Sequence, residues 1–281
     1  MRWLVTGAGG MLGRDLRAVL AEAGETEVVA AGRADLDITD PAAVRQAVAG
    51  ADMVLNAAAW TDVDGAETAE EAATAVNGHA VRALAAVAGR RLIHFSTDYV
   101  FDGAAADPYP EETAYAPVNA YGRGKAIGEQ AVLAAGGSVV RTAWLYGAHG
   151  PNFVRTMLRL AAERETVTVV DDQQGQPTWS YALARQVVAL AGATAAGRAA
   201  PGPFHGTAAG ATTWYELARA VFAEAGLDPA RVRPTTSDRF PRPARRPAYS
   251  VLGHDRWSAT GIAPLPPWRT MLTEAMPTML R

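Results

Sequence analysis

A doubly wound α/β fold with a parallel sheet and a smaller, interleaved C-terminal lobe is predicted by three observations. Short apolar runs alternate with helical stretches from the first residues onward, the pattern of a sheet whose strands are joined by crossover helices. The first run, Trp3 to Thr6, passes directly into Gly7-Ala8-Gly9-Gly10-Met11-Leu12-Gly13 and then into an amphipathic segment, Asp15 to Ala23. A length of 281 residues is long for one core and short for three, so a large unit with a small companion is the natural division.

Composition narrows the function. With 26 basic and 29 acidic residues the chain lacks the basic surface on which nucleic-acid binding depends. There is no cysteine, which removes disulfides and thiolate metal sites and suits a reducing compartment. No apolar run reaches membrane-spanning length, and the first residues lead straight into a strand and a glycine turn rather than a targeting segment. The expectation is a soluble cytoplasmic protein.

Each element has a local reason. After the strand Trp3 to Thr6, Gly7 permits a sharp turn, Gly10 lets backbone approach a pyrophosphate and Gly13 lets helix and sheet pack closely, the Rossmann-like arrangement for a dinucleotide. Glu27 to Ala31 reads as the second strand. An NAD-selective site places Asp or Glu at its end, but Gly32 and Arg33 stand there. A guanidinium matches a 2′-phosphate, which favours NADPH and leaves NADH open; the same arginine would also suit a solvated loop. Asp40 and Pro41 supply an N-cap and a first helical residue. Met53 to Asn56 is a third strand, and Ala57, Ala58 and Ala59 extend it with side chains small enough for a cofactor to lie against.

Ala66 to Ala88 predicts one long alanine-rich helix, and Arg91 to Ser96 a fourth strand that delivers Thr97 to its carboxyl end, where ligands of such sheets sit. Asp102 to Asn119 is a polar loop expected to cover the site. Tyr121 and Lys125 follow at the start of a helix, four residues apart and therefore on one face. An ammonium beside a phenol favours the phenolate, so the pair is suited to proton transfer, although the same spacing also occurs on solvated faces. Ser138 to Thr142 is a further strand, Phe153 to Ala162 a helix and Thr166 to Val170 a short strand. The amide- and hydroxyl-rich loop 171–179 suits base recognition or a plain turn. Tyr181 to Ala191 is helical, Ala193 to Pro203 a linker, Phe204 to Gly206 a last strand and Trp214 to Ala225 a helix. Val232 to Arg246 is rich in proline and arginine.

Six motifs occur in order: Gly7, Gly10 and Gly13; Asn56-Ala57-Ala58-Ala59; Ser96-Thr97-Asp98-Tyr99-Val100-Phe101-Asp102-Gly103; Tyr121-Gly122 with Lys125; Arg141-Thr142-Ala143-Trp144; and Asp172-Gln173 with Pro177-Thr178. Together they resemble the extended short-chain dehydrogenase/reductases, and within them the dTDP-4-dehydrorhamnose reductase family, over essentially the whole chain. The resemblance implies a catalytic Thr97, Tyr121 and Lys125. It implies Gly10, Met11 and Leu12 at the cofactor pyrophosphate, Asp37 and Ile38 by its adenine half, and Ala58, Ala59 and Trp60 along its course. Thr97, Asp98 and Trp144 match positions that touch the sugar. Asp15 and Glu274 match acidic residues that carry a dimer-linking magnesium in some relatives; Tyr181 stands where a third carboxylate belongs, so no metal is expected. A homodimer is compatible with the resemblance.

The implied reaction is NADPH-dependent reduction of the C4 keto group of a dTDP-4-keto-6-deoxyhexose, with residues 1–143 and 180–207 as the dinucleotide-binding part. Residues 144–179 and 208–281 form the expected substrate lobe, where Trp144 offers a flat wall and Asn152, Gln176, Thr178 and Arg246 offer polar groups for base and diphosphate. A sugar-nucleotide dehydratase needs an Asp-Glu pair after the threonine, whereas Asp98 precedes Tyr99. The alternative from another class is a non-catalytic NADP-binding regulatory subunit of the methionine adenosyltransferase beta type. The intact Thr97, Tyr121 and Lys125 favour the enzyme.

Overall fold

The computed structural model describes residues 1–280. The chain runs β1 (Trp3–Thr6), α1 (Met11–Glu22), β2 (Val28–Ala31), α2 (Pro41–Ala49), β3 (Met53–Asn56), α3 (Val63–Thr68), α4 (Glu70–Thr74), a wide π turn (Ala75–Ala80), α5 (Val81–Ala88), β4 (Leu92–Thr97), α6 (Ala120–Ala134) and β5 (Ser138–Thr142). Then follow β6 (Leu145–Tyr146), α7 (Phe153–Glu163), β7 (Val167–Val170), β8 (Gln174–Gly175), β9 (Thr178–Trp179), α8 (Ser180–Ala195), β10 (Pro203–His205), β11 (Thr212–Thr213), α9 (Trp214–Glu224), β12 (Val232–Thr235) and α10 (Trp268–Met279).

Six parallel strands form one sheet in the order β10-β5-β4-β3-β1-β2. The strand order reverses beside β1, so the crevice at the carboxyl ends opens there. One face of the sheet buries Leu12, Leu16 and Leu20 of α1 with Leu183, Val187 and Leu190 of α8. The other buries Val44 and Val48 of α2 with Val81, Leu84 and Ala85 of α5. A separate core joins α7, α9 and α10 to the β7–β12 pair through Val154, Met157, Val221, Phe222, Leu272 and Met276. Among the described residues no helix is long and apolar enough to cross a membrane.

Several expected elements differ. The helix expected over residues 66–88 is broken at Ala69 (φ −135°, ψ 43°) and widened over Ala75–Ala80. The wide turn sets the Asn77 carboxamide on the Trp60 backbone, where Nδ2 donates to the carbonyl oxygen and Oδ1 accepts from the amide, both at 2.9 Å; polar satisfaction outweighs regular helix there. Residues Ala57 to Ala59 leave the sheet instead of extending β3. The loop 102–119 does not cover the cleft. Tyr109 stacks on Phe101 at 4.6 Å and exchanges backbone hydrogen bonds with Val251 and Gly253, so the loop is held against the C-terminal segment. The supposed linker begins inside the last turn of α8, which runs on to Ala195, and Ala193 and Ala199 are buried in the core. The two-residue strands β6, β8, β9 and β11 had no distinct sequence signal, nor did β12, where proline sits on a two-stranded edge, or α10, which carries Pro277 near its end.

Candidate active site

A cleft of about 1120 Å³ runs along the carboxyl ends of the strands, from Arg33 and Asp37 beside β2, past Gly7, Gly10 and Gly13, to Thr97, Tyr121 and Lys125 beside β4. Gly7 takes a left-handed φ of +66°, and a Cβ on it would stand 2.5 Å from the Ala58 amide nitrogen. A Cβ on Gly13 would strike the Gly7 carbonyl oxygen, so the turn and helix can approach only with glycine there. Gly9 faces open space. Gly10 caps α1 without a side-chain hydrogen bond, and the free amides of the first helical turn give that end of the cleft affinity for an anion.

Of the residues expected at a cofactor, Gly7, Gly10, Met11, Leu12, Gly13, Arg33, Asp37, Ile38, Ala57, Ala58 and Ala59 line this cleft. Trp60 does not. Its indole donates to the Asp62 carbonyl oxygen at 2.8 Å, and its ring packs with Ala66, Ala73 and Tyr121. The Asp37 carboxylate accepts from the Thr39 amide and hydroxyl at 2.9 and 2.7 Å, which hold it below the usual carboxylate range.

Asn119 caps α6, accepting from Gly122 N at 2.8 Å, and thereby places Tyr121 and Lys125 at the cleft. Lys125 is buried and its Nζ donates to the Phe95 carbonyl oxygen at 2.7 Å. Burial lowers the Lys125 ammonium to about 8, against the opposing pull of Glu129 one turn along α6. The expected depression of the Tyr121 phenol is absent. Burial, with the Asp98 carboxyl added, pushes it well above its ordinary value, and only the Thr97 hydroxyl pulls the other way. The ammonium that was to stabilise a phenolate is directed to a backbone carbonyl instead.

Thr97 closes β4, and its hydroxyl donates to Asp98 Oδ1 at 2.9 Å while accepting from Tyr99 N at 3.1 Å. Burial drives the Asp98 carboxyl up to about 6. Its Oδ2 has no hydrogen-bond partner, the Ser250 hydroxyl being turned to the Gln174 carbonyl oxygen at 3.4 Å. Trp144 takes a left-handed φ of 47°, strained for a bulky residue. That turn lays its ring on Trp214 at 3.5 Å and 9°, and both tryptophans line the cleft. Trp214 escaped sequence reading because nothing local links it to Trp144; the stack joins positions 70 residues apart. The orphaned hydroxyls of Ser96 and Thr142 were likewise missed, although both lie within motifs quoted above.

The RmlD substrate binding domain model matches residues 1–281. A dTDP-4-keto-6-deoxy-D-glucose reductase of Streptomyces niveus is 54% identical over 286 aligned residues, covering 99% of this chain and 97% of that protein. A dTDP-4-dehydrorhamnose reductase of Streptomyces griseus is 53% identical, covering 99% and 94%. The chain belongs to the dTDP-4-dehydrorhamnose reductase family. It is an oxidoreductase. The solved dTDP-4-dehydrorhamnose reductase of Bacillus anthracis, in complex with NADP, superposes with a TM-score of 0.92 at 34% identity over 98% of both chains. That of Clostridium acetobutylicum gives 0.93 at 38% over the whole of both.

Four polar residues expected to touch substrate in this reductase lie away from the cleft lining, each spent on structure. Asn152 caps α7, accepting from Arg155 N at 3.1 Å and donating to the Gly147 carbonyl oxygen at 2.9 Å. Gln176 is buried between Leu252, to which it both donates and accepts, and the Thr207 hydroxyl. Thr178 donates to the Gln176 carbonyl oxygen and accepts from Ala208 N. Arg246 pairs with Asp64 at 3.0 Å, a carboxylate it shares with Arg242 at 2.6 Å. Local composition marked these side chains as polar, but only folding brought them internal partners.

Proposed function

We propose that this chain uses NADPH to reduce the C4 keto group of a dTDP-4-keto-6-deoxy-L-hexose, dTDP-4-dehydro-L-rhamnose or a close relative, giving dTDP-L-rhamnose or a product such as dTDP-dihydrostreptose. The observation carrying this reading is the convergence of Thr97, Tyr121 and Lys125 on the same cleft as the glycine turn and Arg33. The names of the Streptomyces relatives, both dTDP-linked 4-keto sugar reductases, support the substrate class. The NADP in the Bacillus structure supports the cofactor. The residues present fit that cofactor: unpaired amides at the α1 N-terminus suit the pyrophosphate, and the exposed Arg33 suits a 2′-phosphate.

When bound, NADPH supplies the hydride to C4. Tyr121 holds the proton that goes to the oxygen developing there, and its raised pKa keeps it an acid through neutral pH. Thr97 is the second donor for that oxygen, exchanging its present acceptor Asp98 Oδ1 for the substrate. Lys125 stays mostly protonated at pH 7 and directs its remaining protons to the nicotinamide ribose. The unpartnered Asp98 Oδ2 accepts from a sugar hydroxyl, and the Trp144–Trp214 stack forms an apolar wall for the deoxy face. The test is NADPH oxidation across a panel of dTDP-4-keto sugars with the product configuration determined. Absence of oxidation with every member would overturn the reading.

Two outcomes follow from particular residues. Arg33→Ala is expected to weaken NADPH binding on the order of tenfold, the scale of a charge-assisted hydrogen bond, while leaving NADH nearly unchanged. Equal weakening of both cofactors would make Arg33 structural. For Asp98, a folded pKa of about 6 against an ordinary value of 3.8 means that the ionised form costs stability above about pH 6. That cost disappears as pH falls toward 3.8. Activity runs the other way, because protonation removes the charged acceptor. kcat/KM should therefore fall on the acid side of about pH 6, and Asp98→Asn should have a lower plateau without this acid limb. An unchanged limb in the variant would assign it to another group.

A further inference from the structure

On the face of the sheet covered by α5 and α6, an apolar row formed by Leu4 of β1, Val54 of β3 and Leu92 of β4 gives way two residues later to a polar one. Thr6, Asn56 and His94 are register partners there, share that face by strand alternation and are all buried. The Thr6 hydroxyl donates to Asn56 Oδ1 at 2.6 Å, and the Ala58 amide donates to the same oxygen at 3.3 Å. A backbone amide can only donate, so the Asn56 oxygen is fixed toward it and the Asn56 NH2 toward His94 Nδ1, 2.9 Å away. Burial and the nearby Lys125 hold His94 well below its ordinary pKa, so the ring is neutral. Nδ1 therefore accepts, and the ring proton sits on Nε2. That N–H is buried and has no hydrogen-bond partner among the described residues, a costly arrangement unless the position serves another group.

The group beside it is Lys125, whose Nζ donates to the carbonyl oxygen of Phe95, the residue after His94, at 2.7 Å. Lys125 belongs to α6, and α6 packs on the same face of the sheet through Val132 and Leu92. A buried ammonium turns to the acceptors within reach, because charge-assisted hydrogen bonds are the strong ones. A lone pair on His94 Nε2 would be such an acceptor and would draw Nζ into the core. An N–H in its place repels the ammonium. We propose that the Thr6–Asn56–His94 row locks His94 as an Nε2–H donor, so that the imidazole offers Lys125 no lone pair and the remaining ammonium protons face the cleft. His94 is then a positioning residue that acts through Lys125, and the use of those protons on a cofactor ribose rests on the NADPH reading above.

Nitrogen-15 NMR of the full chain labelled at histidine reads the tautomer without cofactor or sugar. The expected spectrum at neutral pH has His94 protonated on Nε2 and bare on Nδ1; the opposite tautomer or a charged ring would overturn the proposal. Two variants of matched shape test the consequence. His94→Gln can accept from Asn56 and turn its NH2 to Lys125, whereas His94→Glu presents a carboxylate there. The glutamate variant is expected to weaken NADPH on the order of tenfold and to leave adenosine 2′,5′-bisphosphate, which lacks the nicotinamide ribose, unchanged. The glutamine variant should bind both ligands as the parent does. Asn56→Asp, which makes Nδ1 the donor and bares Nε2, carries the same comparison if the glutamate variant folds poorly. Equal losses in the glutamine and glutamate variants, equal weakening of both ligands, or unchanged NADPH affinity in the glutamate variant would each overturn the proposal. A parent chain that binds no NADPH would end the cofactor reading, while the His94 spectrum would still decide the lock.

Discussion

Replacing Tyr121 by phenylalanine is expected to lower turnover on the order of a hundredfold or more while NADPH binding stays near that of the parent protein. The ring loses no packing: it meets Tyr99 edge-on at 6.0 Å and 86° and lies against Ala66, Ala73 and Ala120. What disappears is the phenolic proton. Thr97 and Lys125 remain, in the roles proposed for them, yet a threonine hydroxyl is too weak an acid to take over. A kcat measured under saturating substrate, beside an NADPH titration, separates the two effects. Near-normal kcat in the Tyr121→Phe variant would end the assignment of Tyr121 as proton donor.

Arg141→Met is expected to carry the largest stability cost, about 3–5 kcal/mol, the scale for removing one member of a buried ion pair. The guanidinium is almost wholly buried and grips Glu129 through Nε at 2.9 Å and Nη2 at 2.8 Å. Its Nη1 donates to the Glu111 carbonyl oxygen at 2.8 Å and lies 3.1 Å from His205 Nε2. Because that nitrogen must accept, His205 carries its proton on Nδ1 and donates to the Gly253 carbonyl oxygen at 2.9 Å. Burial, reinforced by Arg141, lowers His205 to about 3, so the network keeps this tautomer across the physiological range. Removing the guanidinium leaves the Glu129 carboxylate alone in the core, one turn from Lys125 on α6. Denaturant unfolding should show the loss, and the double variant Arg141→Met/Glu129→Gln should recover part of it because no isolated charge remains. A loss below about 1 kcal/mol for the single variant would contradict this account.

The sequence by itself determined what depends on short-range pattern. The strand-to-glycine-turn-to-helix unit at Trp3 to Gly13 was legible because backbone conformation and close approach demand glycine at fixed spacing. Helical periodicity put Tyr121 and Lys125 on one face, the family resemblance rather than the spacing pointed that face to a site, and the Ser96-to-Gly103 and Arg141-to-Trp144 motifs marked the strand ends that border the cleft. Tertiary structure decided everything that depends on which distant groups become partners. Gln176, Thr178, Asn152 and Arg246 looked available for a ligand until folding gave them Leu252, Ala208, Gly147 and Asp64. Ser96, Thr142 and Asp98 Oδ2 went the other way, emerging buried and unpaired at the cleft. The same holds for acidity: spacing suggested an ammonium poised to ionise a phenol, but burial outweighed it and the Phe95 carbonyl claimed the ammonium. Periodicity is written along the chain, whereas desolvation and hydrogen-bond satisfaction exist only once segments far apart in sequence exclude water together.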